Sequence, residues 1–184
     1  MAQGERLGQR VHFIAVCGVM TAALCALGPL AVPVGPVPVT LATLVVYLDG
    51  FLLGWKGGTA SCLAYLLVGL AGLPVFSGYG AGGGVLLGPT GGYLVGYLPM
   101  AALTGWAAQR TDRRAFWLLA MLGGTAVCYT LGTAWFCWQG GYSLGAALGL
   151  CVTPFLPFDL AKMAAVLALG PVLRRRLEAA GLLG

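Results

Sequence analysis

Six apolar runs, parted by clusters of glycine, proline or arginine, govern what this 184-residue chain can fold into: about 12–31, 40–55, 58–73, 91–109, 115–137 and 155–174. A helix needs about 20 apolar residues to cross a bilayer, and these runs approach that length, although several are short or rich in glycine. Charged residues make up 8% of the chain, against about 25% in soluble domains, and mean hydropathy is +0.91. The expectation is an all-α integral membrane protein of six transmembrane helices, forming one membrane domain over residues 1–184. Arg6 and Arg10 followed by the apolar stretch from Phe13 to Val32 resemble a secretory signal. That stretch is long enough to span, and more spans follow it, so it is expected to be the first helix.

Orientation follows from the basic residues. If the first span starts inside, the cytoplasmic segments carry Arg6 and Arg10, then Lys56, then Arg110, Arg113 and Arg114, then Arg174, Arg175 and Arg176, which is nine of the ten. The outer loops carry none. The positive-inside bias therefore predicts both termini in the cytoplasm of a multi-pass cell-membrane protein. The net charge of +5 sits in these short clusters, the pattern of topology signals rather than of a nucleic-acid footprint.

The tenth basic residue is Lys162, and together with Asp159 it breaks the apolar rule. Each charge inside a spanning helix costs about 2.5 to 3.5 kcal/mol on insertion scales. Three residues apart on a helix, the two share a face and can neutralise each other. Pro157 suits a first helical position, which sets Asp159 in the opening turn, where the helix dipole favours an anion. The pair thus lies near the outer face. It either orients the helix or anchors a ligand, the default hypothesis for intramembrane ionisable residues. Asp49 is a further intramembrane acid at similar depth; it could pair with Lys162 across helices, or be carried in its neutral form.

Two outer loops are unusual. Pro29 to Val39 holds Pro29, Pro33, Pro36 and Pro38 and is expected to be stiff and extended, a rigid edge to a pocket. Pro74 to Tyr93 is dense in glycine and almost free of polar side chains, suited to close backbone approach or to a mobile lid. It lacks GxxxxGK[ST], so nucleotide binding there has no support. In the first span Gly18, Ala22 and Ala26 recur every four residues, a small-residue stripe open to a helix of this chain or of another.

The remaining polar groups exclude several classes. Cys17, Cys25, Cys62, Cys128, Cys137 and Cys151 show no CxxC or His/Cys spacing and read as small packing residues, without a metal. Cys137 and Cys151 flank one hairpin, where a disulfide is the alternative. His12 sits at a membrane border. Hydroxyls at Thr40, Thr43, Tyr47, Tyr65, Tyr97, Thr130 and Thr133 form no train of charges, against a channel or proton relay. No nucleophile with its base can be assembled, so an enzyme is not expected.

Four stretches together carry a resemblance: Pro38-Val39-Thr40-Leu41-Ala42-Thr43-Leu44, Gly72-Leu73-Pro74-Val75-Phe76, Gly88-Pro89-Thr90-Gly91-Gly92-Tyr93-Leu94 and Leu156-Pro157-Phe158-Asp159-Leu160-Ala161-Lys162. In order and spacing, over residues 12–176, the chain resembles the BioY family, the biotin-binding S-components of energy-coupling-factor (ECF) vitamin transporters. The resemblance implies a six-helix S-component bundle that captures biotin from outside. It also implies docking on a transmembrane T-component powered by two ATP-binding subunits, with biotin as transported ligand and no cofactor. Asp159 and Lys162 correspond to the family's biotin site, residues 32–43 and 76–93 to loops that close over the vitamin, and Ala22 and Ala26 to the stripe that contacts the T-component. The family often has Gln at the position of Ala42 and Gly at that of Phe158; the first departure removes a polar contact and the second adds bulk beside Asp159.

On this reading Asp159 accepts from a ureido N–H, Lys162 donates to the ureido carbonyl or the carboxylate tail, Phe76, Tyr79 and Tyr93 pack the ring system, and Thr43 completes the site. The alternatives are an S-component for a different vitamin and a non-transport membrane scaffold. A self-sufficient transporter is a variant of the first reading. Nothing in the chain could hydrolyse ATP.

Overall fold

The computed structural model describes residues 2–33 and 37–183, with side chains at 8 and from 11 onward within those limits; Arg6, Arg10 and Pro36 therefore lie outside the described side chains. The elements are α1 (Ala2–Leu27), β1 (Ala31–Val32), β2 (Val39–Thr40), α2 (Ala42–Leu70), a 3-10 turn (Ser77–Tyr79), α3 (Gly83–Leu86), α4 (Gly91–Arg110), α5 (Arg114–Gly140), α6 (Leu144–Cys151) and α7 (Leu156–Ala179). By length and composition, α2, α5 and α7 are apolar enough to cross a membrane, and α1 adds the shorter apolar stretch Val11–Leu27. The result is an all-α bundle with several membrane-spanning helices.

Two expected spans, 40–55 and 58–73, are carried by the single element α2, which reverses at Gly54. That residue has φ 70° and ψ −178°, a backbone conformation essentially confined to glycine. The arms 42–53 and 55–70 then run back to back. Ser61 Oγ donates to Asp49 Oδ2 at 2.8 Å, whereas 12 residues of straight helix would part them by about 18 Å. Gly50 and Gly58 meet where the arms touch, and a Cβ at Gly58 would fall 2.8 Å from the Gly50 Cα. The turn also seats α4, since a Cβ at Gly105 would come 2.4 Å from the carbonyl carbon of Gly54. Small residues at such spacing let apolar helices pack by close backbone approach, the main attraction left where water is absent.

This hairpin settles Asp49. It is fully buried and accepts from Ser61 and, at 3.9 Å, from the Cys62 thiol. Lys162, the cross-helix partner considered from depth alone, bonds elsewhere. Ser61 also meets Thr21 of α1 at 3.2 Å, so the polar cluster ties the first helix to the hairpin.

Both unusual loops are more built than the sequence suggests. Pro29, Pro33 and Pro38 adjoin a short antiparallel ladder in which Ala31 pairs with Thr40 and Val32 with Val39. In the glycine-rich loop, Phe76 is fully buried, stacked edge-on to Tyr65 at 5.5 Å and lying over Gly69, where a Cβ would meet its ring at 2.1 Å. Tyr65 OH donates to Val75 O at 3.1 Å, Gly82 N–H to Gly69 O at 2.8 Å, and Trp135 Nε1 to Gly88 O at 2.9 Å. The loop is a packed cap pinned to the hairpin and to α5. An eight-residue helix, α6, lies in the last connection and was not expected; the Ser143 hydroxyl accepts from Ala146 N–H at its start. All six cysteines are free thiols, Cys137 and Cys151 included.

Candidate ligand site

The start of α7 sets the site. Phe155 caps the helix, Pro157 occupies its first turn without loss of a hydrogen bond, and Asp159 N–H donates to Phe155 O at 2.9 Å. Asp159 and Lys162 then project from one face, as their spacing predicts, with Nζ 3.0 Å from Oδ1. Their side chains are 5% and 11% exposed, so water gives little relief to either charge.

Relief comes from two other helices. Thr43, in the opening turn of α2, donates to Asp159 Oδ1 at 2.9 Å and accepts from Lys162 Nζ at 2.7 Å. Thr40 O accepts from Lys162 Nζ at 2.8 Å. Tyr129 of α5 donates to Asp159 Oδ2 at 2.6 Å. An ammonium has three donors and each carboxylate oxygen about two acceptor positions. Lys162 is therefore fully engaged and Asp159 Oδ1 is filled. Among the described residues Oδ2 accepts one bond, which leaves one acceptor position beside the Tyr129 hydroxyl.

Two adjoining hollows open from this cluster and share Val37, Pro38, Thr40, Tyr93 and Tyr97. The polar one, about 50 Å³, is completed by Thr43, Cys128, Tyr129, Phe155, Asp159 and Lys162 among others. The apolar one, about 150 Å³, lies under the cap against Phe76, Val85 and Leu94. Tyr93 stands between them, its hydroxyl 3.0 Å from Thr133 Oγ1 and its ring over Gly132, where a Cβ would be 2.2 Å away. An apolar slot ending in one acid, one base and hydroxyls suits a small, flat molecule that carries polar edges.

Of the residues read from the sequence, Asp159, Lys162, Thr43, Tyr93 and Phe76 line these hollows. Tyr79 does not: it is 66% exposed, at φ 62°, on the outside of the cap. Phe158 is 48% exposed, so its bulk faces outward and leaves the pocket free, while Ala42 is buried without lining it. Gly18, Ala22 and Ala26 are all exposed on α1, with no helix over them among the described residues. Sequence reasoning missed Tyr129, Cys128 and Phe155. The signal for Tyr129 was the four-residue step Thr125, Tyr129, Thr133, a polar stripe along one face of α5.

The model of the BioY family matches residues 3–179. "Biotin transporter BioY" of Thermotoga maritima is 36% identical over 154 residues, covering 83% of this chain and 90% of the relative. "Biotin transporter BioY2" of Lactococcus lactis is 34% identical over 172 residues, covering 92% and 93%. A crystal structure described as the S-component for biotin from an ECF-type ABC transporter superposes with a TM-score of 0.84 at 31% identity, over 91% of this chain and 93% of that one.

Proposed function

The chain belongs to the BioY family, and from that premise we propose that it captures biotin in the hollow beside Asp159 and Lys162, as the S-component of an ECF-type transporter. The observation that carries the assignment is the acceptor position on Asp159 Oδ2 that no described residue fills, which matches a ureido N–H. Biotin offers two such donors, one carbonyl between them, a fused apolar ring and a carboxylate tail. With the ureido group at Asp159, the ring system reaches Tyr93 and Phe76 and the tail lies under the cap. Lys162 serves the ureido carbonyl by releasing Thr40 O, a bond it can exchange without leaving the acid. Tyr79 joins the ring contacts only if the cap turns inward.

The same reading makes the chain one membrane domain with six crossings: α1, the two arms of α2, α4, α5 and α7. Both termini are then cytoplasmic. Support comes from the arginine-rich end, where Lys56 lies 5.4 Å from the Trp55 ring and Arg110 5.5 Å from that of Trp106, as basic and aromatic residues group at an interface. A T-component would pack on the Gly18, Ala22, Ala26 stripe, and two ATP-binding subunits would energise the assembly.

Titration of the purified protein with biotin and a panel of other vitamins tests the assignment. Biotin alone should bind tightly, and Asp159→Asn should weaken it at least a hundredfold in a protein that still elutes as a single species. Equal affinity of Asp159→Asn and the parent would remove Asp159 from the site, and preference for another vitamin would reassign the ligand.

A further inference from the structure

The far end of the slot, under the cap, is uncharged. That hollow, about 150 Å³, is lined by Val37, Pro38, Phe76 and Val85 among others, and by two hydroxyl-bearing residues, Ser77 and Thr90. The connections 29–39, 74–93 and 141–155 contain no Lys, Arg, His, Asp or Glu. Lys162 lines the neighbouring hollow and gives its three donors to Thr40 O, Thr43 and Asp159. The one bond it can exchange goes to the ureido carbonyl on the proposed reading. A ligand tail that enters the far hollow therefore meets no counter-charge among the described residues.

Ser77 opens the 3-10 turn of the cap, whose backbone is already engaged. Phe76 N–H donates to Gly80 O at 3.0 Å, Gly78 N–H to Pro29 O at 3.1 Å and Gly80 N–H to Ser77 O at 3.3 Å. Ser77 Oγ, by contrast, is buried with no hydrogen-bond partner among the described residues. A buried hydroxyl left in that state is destabilising, and a polar group arriving in the hollow would satisfy it. Thr90 precedes α4 without a capping bond from its side chain, which leaves a second hydroxyl at the same hollow.

Three effects of the tail's charge compete there. Burial strips water from a carboxylate, at a greater cost than from a carboxamide or an ester. Hydroxyls bond a carboxylate more strongly, and the start of α4 adds a preference for an anion. Without a cation, the first effect offsets the other two.

We propose that Ser77 and Thr90 form a charge-independent tail subsite. Their hydroxyls donate to the terminal carbonyl oxygen of the ligand, whether the tail ends as an acid, a primary amide or a small ester. The protein then captures uncharged derivatives of the vitamin as well as the acid. This inference rests on the reading of the slot as a biotin site.

Competition against radiolabelled biotin in detergent tests it, with biotinamide, biotin methyl ester and an analogue whose tail ends in a methyl group as competitors. The amide and the ester should displace the label within about tenfold of unlabelled biotin, whereas a cation at the tail would set them well beyond that. Ser77→Ala with Thr90→Val should weaken biotin and biotinamide by a similar factor, about five- to thirtyfold, and leave the methyl-ended analogue within about twofold. Biotin binding intact with the amide more than tenfold weaker would overturn the subsite and leave the site at Asp159 standing. A parent that binds neither compound would remove the ligand assignment and the subsite together. An equal loss for the methyl-ended analogue in a monodisperse variant would show that Ser77 and Thr90 only shape the cap, and would overturn the subsite. Should the double variant fail to fold, Ser77→Ala alone serves in its place: a matched loss for biotin and its amide supports the subsite, and the parent's affinities overturn it.

Discussion

Thr43 Oγ1 lies 2.9 Å from Asp159 Oδ1 and 2.7 Å from Lys162 Nζ, so one hydroxyl donates to the acid and accepts from the base at once. The ion pair is therefore a three-membered ring whose third member comes from another helix. Charge neutrality and side-chain direction are fixed together.

Thr43→Val keeps the shape and removes both bonds. Leaving buried polar groups short of a partner costs about 1–3 kcal/mol, roughly a 5- to 150-fold loss in affinity. Biotin titration should find a loss within that range, and Thr43→Ser should restore all but about threefold of it on the same scale.

Lys162→Met leaves a carboxylate buried at 4% exposure without its counter-charge. Breaking such a pair costs about 3–5 kcal/mol, whereas removing both charges is often neutral. Thermal unfolding in detergent should show a large drop for Lys162→Met and recovery for Lys162→Met with Asp159→Asn, while neither variant binds biotin.

Tyr129→Phe deletes the 2.6 Å bond to Asp159 Oδ2. A charge-assisted bond of this kind contributes about 1.5–3 kcal/mol, so affinity should fall by roughly ten- to a hundredfold. An unchanged affinity would mean that Tyr129 plays no part in holding Asp159 for the ligand.

Gly54→Ala forces a side chain into φ 70°, ψ −178°, and its Cβ would meet the Gln109 amide at 2.1 Å. Gln109 can swing aside, but the backbone strain of about 1–3 kcal/mol remains. The melting temperature should drop by roughly 2–12 °C, with biotin affinity unchanged in the folded fraction, because the turn is remote from the hollow.

Ala22→Trp places a large ring on the outward stripe of α1. Co-purification with a T-component and its ATP-binding subunits should fall at least tenfold while biotin affinity stays at the parent level. Full retention of the partners would show that the stripe faces lipid.

The parts that were legible in the sequence are those with a local physical cause. Pro157 and the dipole put Asp159 in the first turn of α7, and a three-residue step put Lys162 on its face. The apolar runs fall on α1, the two arms of α2, α4, α5 and α7, whereas α3 and α6 lie in stretches that look like any apolar connection. Contacts between distant segments were not legible. A tyrosine within a span can serve packing or bonding equally, and only the assembled bundle turns Tyr129 toward Asp159 and Tyr79 away from the hollow. Depth alone allowed Asp49 to seek Lys162; the reversal at Gly54 gives it Ser61 instead. The bulk of Phe158 looked obstructive because helix phase, rather than adjacency, decides which way it points.

Lys162 reaches back 122 residues to Thr40 and 119 to Thr43. Until the final helix has left the ribosome and threaded into the bilayer, the nascent polypeptide has no basic group to answer the α2 threonines and no acid for Tyr129. On the proposed site, capacity for the vitamin would arrive all at once at the end of biogenesis, and a chain truncated before α7 should be blind to its cargo however well its earlier helices had assembled.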